Sequence, residues 1–222
     1  MKKYCSNCIH FLIKVAWPFL RPYIISLNRK NKKEIQKNVI EMMRAFIAID
    51  VEMNDKIEEI YNLLKKTKAK LKMVEPQNIH LTIKFLGEID EKTAEKVKEE
   101  LHEAVREIEP FKAMLKGTGV FPGKNHIRVI WIGFHDEGET LKLSQVIDEK
   151  LTKYGFKKEK SYKPHVTIAR MKSREGKEEI LKIVEENKDK IFGEMECNEI
   201  KLKQSILTPK GPIYKDVEVV KL

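Results

Sequence analysis

The most constraining feature of this sequence is a pair of matching tetrapeptides. Residues 80–83 read His-Leu-Thr-Ile, and residues 165–168, 85 positions further along, read His-Val-Thr-Ile. Both lie in runs of β-prone residues, so each is expected to form part of a strand. With the six His and eight Thr of this chain, composition alone predicts about 0.2 His-x-Thr triplets. The repeat therefore indicates an internal duplication, and the fold should contain two related strands.

The spacing within each tetrapeptide places its histidine and threonine on one face of a strand. Residues i and i+2 of a strand share a face, roughly 6.6 Å apart, while i+1 and i+3 point the other way. His80 and Thr82 therefore project together, and so do His165 and Thr167. If the two strands pair about a pseudo-twofold axis, two imidazoles and two hydroxyls face one cleft.

This set of side chains suits displacement at phosphorus. An imidazole titrates near neutral pH and can serve as acid or base, and a hydroxyl can donate to a phosphate oxygen. One histidine can take a proton from the nucleophile while the other protonates the leaving group, so no metal or cofactor is required. A two-histidine metal site would add carboxylates, and neither tetrapeptide has an Asp or Glu on its histidine face. Residues 117–123 (GTGVFPG) lack the GK[ST] ending of a Walker loop and are interpreted as a turn.

The chain from residue 43 onward alternates strand-like and helix-like segments. Strand patterns cover residues 44–51, 79–86, 111–116, 128–134, 164–171, 195–207 and 214–222. Amphipathic helical patterns cover residues 54–66, 90–108, 139–154 and 175–187. Several strand pairs are joined by short turns, which favours an α+β fold with mostly antiparallel sheets over a doubly wound parallel one.

Charge is distributed unevenly along the chain. The net charge is +10, but residues 1–42 hold nine basic and two acidic residues, and the other 180 hold 35 basic and 32 acidic ones. The body is thus +3, which does not indicate extended duplex binding and is compatible with a small phosphate site. A hydrophobic content of 41% is enough to build a core. Three cysteines are too few for a disulfide framework and favour a reducing, cytoplasmic compartment.

Residues 1–42 differ in character from the rest. The apolar stretch 8–27 contains two charges and two prolines, which makes a poor transmembrane helix, and no small-residue cleavage site follows its basic start. We favour translation that begins at Met43 or Met42. A membrane-surface anchor and a partner-binding tail are the alternatives. Residues 5–8 (CSNC) with a following histidine supply only part of a four-ligand zinc site.

Residues 43–222 resemble the RNA 2′,3′-cyclic phosphodiesterases, once named 2′-5′ RNA ligases, of the two-histidine phosphoesterase superfamily. The two tetrapeptides define the superfamily. The RNA-processing branch is indicated by MRAFIAID at 43–50, IHLTIKFLGEI at 79–89, FP…RVIW at 121–131, YKPHVTIAR at 162–170 and SILTPKGPIY at 205–214. The resemblance implies one bilobal α+β domain over residues 43–222. Two pseudo-symmetric antiparallel sheets, with helices outside, would then flank a central cleft.

The resemblance also implies an activity and a role for each residue of the two motifs. The reaction is hydrolysis of a 2′,3′-cyclic phosphate at an RNA or nucleotide end, which leaves a 2′-phosphate. His80 would protonate the departing 3′ oxygen and His165 would activate water. Thr82 and Thr167 would hold the phosphate oxygens and stabilise their developing charge. The reverse reaction, 2′-5′ ligation to a 5′-hydroxyl, uses the same groups and is an alternative.

Four further residues are weaker candidates for substrate binding. Lys84, two residues beyond the first threonine, is expected on the same face, where it can reach a phosphate; a solvated strand-end lysine is the alternative. Arg128 matches the FP…R stretch and is expected to contact the nucleotide. Arg170 also matches the family, but strict alternation turns it away from the cleft unless a bulge returns it. Phe121 can stack on a base, with packing as its alternative role.

Two other classes of function stay open at this point. A non-catalytic nucleotide- or RNA-binding module would bind without turnover, and the intact histidine in both tetrapeptides argues against it. A membrane-tethered phosphoesterase would act through residues 1–42, and membrane contact is expected only if that segment is genuine. A monomer is the default expectation.

Overall fold

The computed structural model of the chain describes residues 41–209 and 211–222, which form nine strands and four α-helices. The strands are β1 (Met42–Asp50), β2 (Leu71–Met73), β3 (His80–Asp90), β4 (Phe111–Gly123), β5 (His126–His135), β6 (His165–Met171), β7 (Ile191–Cys197), β8 (Glu199–Thr208) and β9 (Gly211–Lys221). The helices are α1 (Asp55–Lys65), α2 (Glu91–Ala104), α3 (Glu139–Thr152) and α4 (Lys177–Glu186), and a short 3-10 turn spans Pro76–Asn78. The expectations for residues 1–40, a misplaced start, an anchor or half a zinc site, lie outside the described residues.

The strands form two antiparallel half-sheets that meet at the tetrapeptides. Their order is β7-β4-β5-β6-β3-β1-β8-β9, and β2 pairs with β6. We call β3, β1, β8 and β9 the His80 half-sheet, and β6, β5, β4 and β7 the His165 half-sheet. The two are joined at one position of the ladder, where Leu81 pairs with Val166. The predicted antiparallel α+β fold is confirmed, and its two sheets are continuous through this single contact.

The pairing of Leu81 with Val166 determines how the four candidate residues are arranged. In an antiparallel ladder, the residues that flank a pair lie opposite each other and share a face. The partner positions are therefore His80 with Thr167 and Thr82 with His165. Two histidines and two threonines thus form a compact two-by-two array on the face opposite the buried pair.

The outer helices are exchanged between the halves. Helix α1 follows β1 of the His80 half-sheet but packs against α4 and β7, whereas α3 follows β5 of the His165 half-sheet but packs against α2 and β3. Their buried faces have helical spacing, as in α1, where Ile57, Ile60 and Leu64 are almost fully buried. The exchange gives both halves one shared core, and Met42–Leu222 form a single compact unit.

A bulge interrupts each central strand at the same place. The extra residue is Ile83 on β3 and Ile168 on β6, the last residue of each tetrapeptide. Both isoleucines are buried. A bulge inserts one residue into one strand, so the side-chain alternation reverses beyond it. The internal duplication therefore extends to the irregularities of the backbone.

The prediction that residues 117–123 form a turn is wrong, because β4 continues through them to Gly123. Gly117 has a φ of +73° at an irregularity of the ladder. At Gly119, a Cβ atom would lie 2.1 Å from the ring of Trp131 on the neighbouring strand. Both glycines serve a strand that must bend and must lie close to a large ring, and sequence alone does not distinguish this use from a turn.

Two other strand boundaries also differ from expectation. Residues 195–207 are not one strand, because the chain leaves the His165 half-sheet at Cys197 and enters the His80 half-sheet at Glu199. No glycine or proline marks this crossing, so the apolar alternation continues through it. Strand β3 does not stop at Gly87 but extends to Asp90, with Gly87 at a φ of +76°.

Candidate active site

The backbone just before each central strand holds the histidine ring in the same way. Nδ1 of His80 lies 2.6 Å from the carbonyl oxygen of Asn78, and Nδ1 of His165 lies 2.6 Å from that of Lys163. A carbonyl can only accept, so Nδ1 carries the proton and donates it in both rings. The neutral ring therefore has its lone pair on Nε2. Each half supplies one imidazole nitrogen that is ready to accept or, when protonated, to donate a proton.

The two tetrapeptide threonines differ from the other threonines of the described chain. Thr82 and Thr167 are half-buried, and within residues 41–209 and 211–222 their hydroxyls have no hydrogen-bond partner. The other six threonine hydroxyls all bond within the chain, namely those of Thr67, Thr93, Thr118, Thr140, Thr152 and Thr208. Polar groups in a folded interior are normally paired. Two free hydroxyls beside two imidazoles are therefore available to an anion.

Each histidine lies between two aromatic rings. On β3 the imidazole centroid is 5.0 Å from the ring of Phe46 and 5.4 Å from that of Tyr214. On β6 the corresponding distances are 4.9 Å to Phe121 and 6.3 Å to Trp131. These walls limit rotation of the imidazoles and reduce their contact with water. Phe121 is thus brought to the site as a packing partner of the second histidine.

Burial is the main influence on both histidines, and it lowers the pKa of His80 and of His165 from the ordinary value of 6.5. The carbonyls bonded to Nδ1 oppose this shift, because they favour the protonated ring. Near His80, Lys203 lowers the pKa further and Asp50 raises it. The charge of Arg170 lowers the pKa of both rings. Lys203 has the larger effect of the two, so the charges around His80 do not offset the lowering of its pKa by burial.

The bulge in β6 returns Arg170 to the cleft face. Strict alternation from the second tetrapeptide would turn this side chain away, but the extra residue Ile168 reverses the alternation. Arg170 is exposed, and its cross-strand partners are Lys72 on β2 and Val129 on β5. A guanidinium accordingly stands on the same face as the histidine and threonine of its strand.

The equivalent bulge in β3 has the opposite effect on Lys84. The expectation that this lysine shares the face of Thr82 is wrong, because the extra residue Ile83 turns it into the core. Its ammonium forms an ion pair with Asp148, both side chains being 7% exposed, and donates to the carbonyl of Lys157 at 2.8 Å. Phe85, the next residue, is 68% exposed and occupies the position that Arg170 has on β6.

Arg128 lies beside the cleft at a second irregularity of β5, where the pairing with β4 skips it. It is exposed, and its Nε donates to Nε2 of His126 at 3.0 Å. Its neighbour Val129 is the cross-strand partner of Arg170. The structure thus brings Arg128 near the array without direct contact with a candidate catalytic residue.

Two supporting groups escaped the sequence analysis. The hydroxyl of Tyr162 donates to the backbone carbonyl of Thr82 at 3.0 Å, and its burial raises its pKa. Behind His80, the ammonium of Lys203 lies 2.9 Å from Asp50 and forms a second ion pair with a carboxylate of β9. Tyr162 belongs to the quoted YKPHVTIAR stretch, which is a signal that could have found it. Lys203 has no such signal in the sequence, since its ion-pair partners come from distant strands.

Within residues 41–209 and 211–222, no group of three or more His, Cys, Asp or Glu side chains is arranged to hold a metal ion. No helix in the same two ranges has the length and apolar character needed to cross a membrane.

Comparison with known sequences identifies relatives over most of the chain. The family described as LigT-like phosphoesterase matches residues 47–131 and 135–214. A Methanocaldococcus jannaschii protein named RNA 2′,3′-cyclic phosphodiesterase is 48% identical over 180 residues, which cover 81% of this chain and 99% of the relative. An Archaeoglobus fulgidus protein of the same name is 42% identical over 179 residues, covering 80% of this chain and 99% of its own length.

Solved structures show the same fold. A crystal structure of a Thermus thermophilus protein superposes with a TM-score of 0.69 at 28% identity, covering 81% of this chain and 98% of that one. The Escherichia coli LigT structure in complex with 3′-AMP superposes with a TM-score of 0.67 at 20% identity, covering 82% and 99%. Both comparisons span the two half-sheets together.

Proposed function

This chain belongs to the LigT-like phosphoesterase family, and we propose that it hydrolyses RNA 2′,3′-cyclic phosphate ends to 2′-phosphomonoesters. One observation carries the proposal. Two imidazoles, each with Nδ1 bonded to a carbonyl and Nε2 free, share one face with two unpaired hydroxyls. The full-length relatives named RNA 2′,3′-cyclic phosphodiesterase support the choice of substrate.

Binding of the cyclic phosphate begins with its non-bridging oxygens. Thr82 and Thr167 lie diagonally across the array, so each can donate its hydroxyl to one of these oxygens. Arg170 adds a positive charge on the same face. When water attacks, negative charge accumulates on the non-bridging oxygens, and these three donors are already in place to stabilise it. No step in this scheme needs a metal ion.

Proton transfer requires one neutral and one protonated histidine. His165 in its neutral form accepts a proton from water at Nε2 as the water oxygen attacks phosphorus. His80, protonated on both nitrogens, gives its Nε2 proton to the 3′ oxygen as the bond from phosphorus to that oxygen breaks. The products are a 2′-phosphate and a 3′-hydroxyl, and the histidines end with their protonation states exchanged. We assign the acid to His80, the role that the resemblance to the family implies; Asp50 stabilises its protonated form, although Lys203 opposes it more strongly.

We further propose that the enzyme acts as a monomer in the cytoplasm. All four motif residues come from one chain, so the array is complete without a partner subunit. Cys197 is buried and unpaired, which is compatible with a reducing compartment. Light scattering coupled to size-exclusion chromatography should give the mass of a single chain, and a dimer mass would contradict the monomer.

The activity is tested with the full chain and a short RNA that ends in a 2′,3′-cyclic phosphate, in the presence of EDTA. We expect opening to a 2′-phosphate, with losses of about a thousandfold in His80→Ala and His165→Ala. His102→Ala is the matched control, since that side chain is 55% exposed on α2, and it should retain full activity. Binding without opening would favour the non-catalytic module. A 3′-phosphate product would overturn the assignment of the leaving oxygen.

A further inference from the structure

A basic pocket opens where β5 begins and β6 ends, beyond the cleft. Its volume is about 310 Å³, and its lining includes Arg128, Lys172, Arg174 and Lys177. Ser173 and Asn125 add polar groups, and among the residues that the structure describes no Asp or Glu lines the pocket. Four cationic residues around one concavity form an anion site by their chemistry, unlike the mixed charges found over most of this surface.

The cations of this pocket are largely free of carboxylate partners. Among the described residues, Arg128, Lys172 and Arg174 take part in no ion pair, and Lys177 approaches only the 87% exposed Glu178, at 4.0 Å. Ion pairing is common elsewhere, and the nearby Lys70 and Lys124 each lie 3.1 Å from a glutamate carboxylate. The positive charge of Arg128, Lys172 and Arg174 is therefore not neutralised within the described fold, so it is available to a ligand.

Helix α4 adds to the positive potential of the pocket. Its first residue is Lys177, where the positive end of the helix dipole disfavours a cation. The N–H of Lys177 donates to the carbonyl of Arg174 at 3.3 Å, and Gly176 provides no side-chain cap for the N–H groups that follow, those of the acidic residues Glu178 and Glu179. A lysine here does not help the helix, and such local conflicts are expected at functional sites.

The pocket lies further along β6 than the active-site array. Arg170 is on the cleft face, and Lys172 lies two residues further on, beside Lys70 in an extended backbone pairing. Met171, which lines the pocket, is four residues beyond Thr167, or about 13 Å at the rise of a strand. This distance is suited to the next phosphates of a nucleic-acid strand whose terminal phosphate lies in the array.

We propose that this basic pocket binds the phosphate backbone of the RNA on the 5′ side of its cyclic end. The inference rests on the proposed function and deepens it, because it makes an oligonucleotide the preferred substrate over a mononucleotide. Arginine and lysine are the side chains that neutralise backbone phosphates, and such contacts position a strand without reading its sequence. The pocket therefore favours longer RNA strands over shorter ones and does not discriminate between base sequences.

The test compares a 2′,3′-cyclic mononucleotide with an oligonucleotide that ends in the same group. In the full chain, Lys172→Gln with Arg174→Gln should lower kcat/KM for the oligonucleotide about tenfold and that for the mononucleotide less than twofold. The slope of log(kcat/KM) for the oligonucleotide against log[salt] should become shallower by about 1.4, as for two lost contacts to single-stranded RNA. Lys56→Gln with Lys92→Gln, both exposed on outer helices, removes the same charge and should leave both substrates unaffected.

The other possible results of these assays also either support or refute the pocket as a binding site for the RNA backbone. Equal losses for both substrates, or a wild-type chain that does not prefer the oligonucleotide, would overturn the pocket as a backbone site. If the wild type opens neither substrate, the proposed hydrolysis fails, and fluorescence anisotropy with a 5′-labelled oligonucleotide then decides separately. Weaker binding in the pocket variant alone would support the backbone site, and unchanged binding would refute it. Displacement of that RNA by an acidic protein but not by a second RNA would also refute it.

Discussion

The His80 half-sheet and the His165 half-sheet have the same backbone conformation around their motifs. They differ in the side chains that this backbone exposes. Each has a histidine bonded to the carbonyl two residues before it, a threonine with a free hydroxyl and a bulge at the following isoleucine. The residue that the bulge turns outward is an arginine on one side and a phenylalanine on the other. Duplication thus preserved the geometry of the histidine and the threonine, while the residues beyond the bulge diverged.

The surroundings of the two imidazoles differ in the same asymmetric way. Asp50, from the neighbouring strand β1, favours protonation of His80 against the larger effects of burial and of Lys203. Within the described residues no carboxylate is among the groups that shift the pKa of His165, where burial and Arg170 favour the neutral ring as they do at His80. Two nearly identical motifs can therefore take opposite roles, because acid and base differ only in which imidazole holds the proton at the start.

The largest expected effect removes either histidine of the array. His80→Ala and His165→Ala should each lower kcat about a thousandfold, because each deletes one half of the proton transfer. The double variant should lose little more than either single one, since the two residues act as a unit. Single-turnover rates with the cyclic-ended RNA test this, and multiplicative losses in the double variant would show that the two act independently.

The next-largest expected effect is on the stability of the fold, and it tests the buried ion pair that Lys84 of the His80 half-sheet forms. Lys84→Met should destabilise the fold by about 3–5 kcal/mol, because it leaves the carboxylate of Asp148 buried without its partner. Adding Asp148→Leu should recover most of that loss. Urea denaturation measures both, with Lys182→Met on the exposed face of α4 as a control expected within about 0.5 kcal/mol. A small effect of Lys84→Met alone would place this lysine in solvent.

Arg170 and Phe85 offer a direct exchange test of the two bulges. Arg170→Gln should lower kcat about tenfold to a hundredfold, because it removes a cation that faces the developing charge. Phe85→Ala should change kcat less than threefold, since no charge is lost. Steady-state kinetics with the cyclic mononucleotide compares them, and equal effects would mean that the divergence of the bulges has no catalytic meaning.

The smallest effect is on pH dependence. With both histidine pKa values lowered below 6.5, kcat/KM should be bell-shaped with its maximum below pH 6.5. Activity rises as the base His165 loses its proton and falls as the acid His80 loses its own. Asp50→Asn removes the carboxylate that raises the pKa of His80, so only the descending limb should move, to lower pH. Glu59→Gln, exposed on α1, is the control, and a shift of the ascending limb instead would reverse the two roles.

Much of this asymmetric site could be predicted from the sequence. The two tetrapeptides identify a duplication, and strand periodicity alone places His80 with Thr82 and His165 with Thr167. Helical spacing likewise predicts α1 and α2, which the structure shows to be capped by Asn54 and Asp90. These features depend on the local sequence, so they can be predicted without knowledge of the tertiary contacts.

The sequence-based predictions that fail, or that leave a position undecided, all concern features that the local residue pattern does not contain. A bulge shifts the register by one residue and leaves no signal in the composition, so alternation predicts Lys84 in the cleft and does not decide the side on which Arg170 lies. The glycine-rich pattern around Gly119 predicts a turn, because nothing in the local sequence indicates that the ring of Trp131 lies against this residue. The exchange of α1 and α3 between the halves depends on packing between distant segments, which no window of sequence contains.

The central claim, that two equivalent halves perform opposite proton transfers, is tested most directly with a leaving group that needs no proton. An RNA end with sulfur in place of the bridging 3′ oxygen of the cyclic phosphate releases a thiolate, which leaves unprotonated. His80→Ala should then open this substrate nearly as fast as the wild type, while His165→Ala should remain about a thousandfold slower. Rescue of His165→Ala instead, or equal loss in both variants, would contradict the division of roles between the halves.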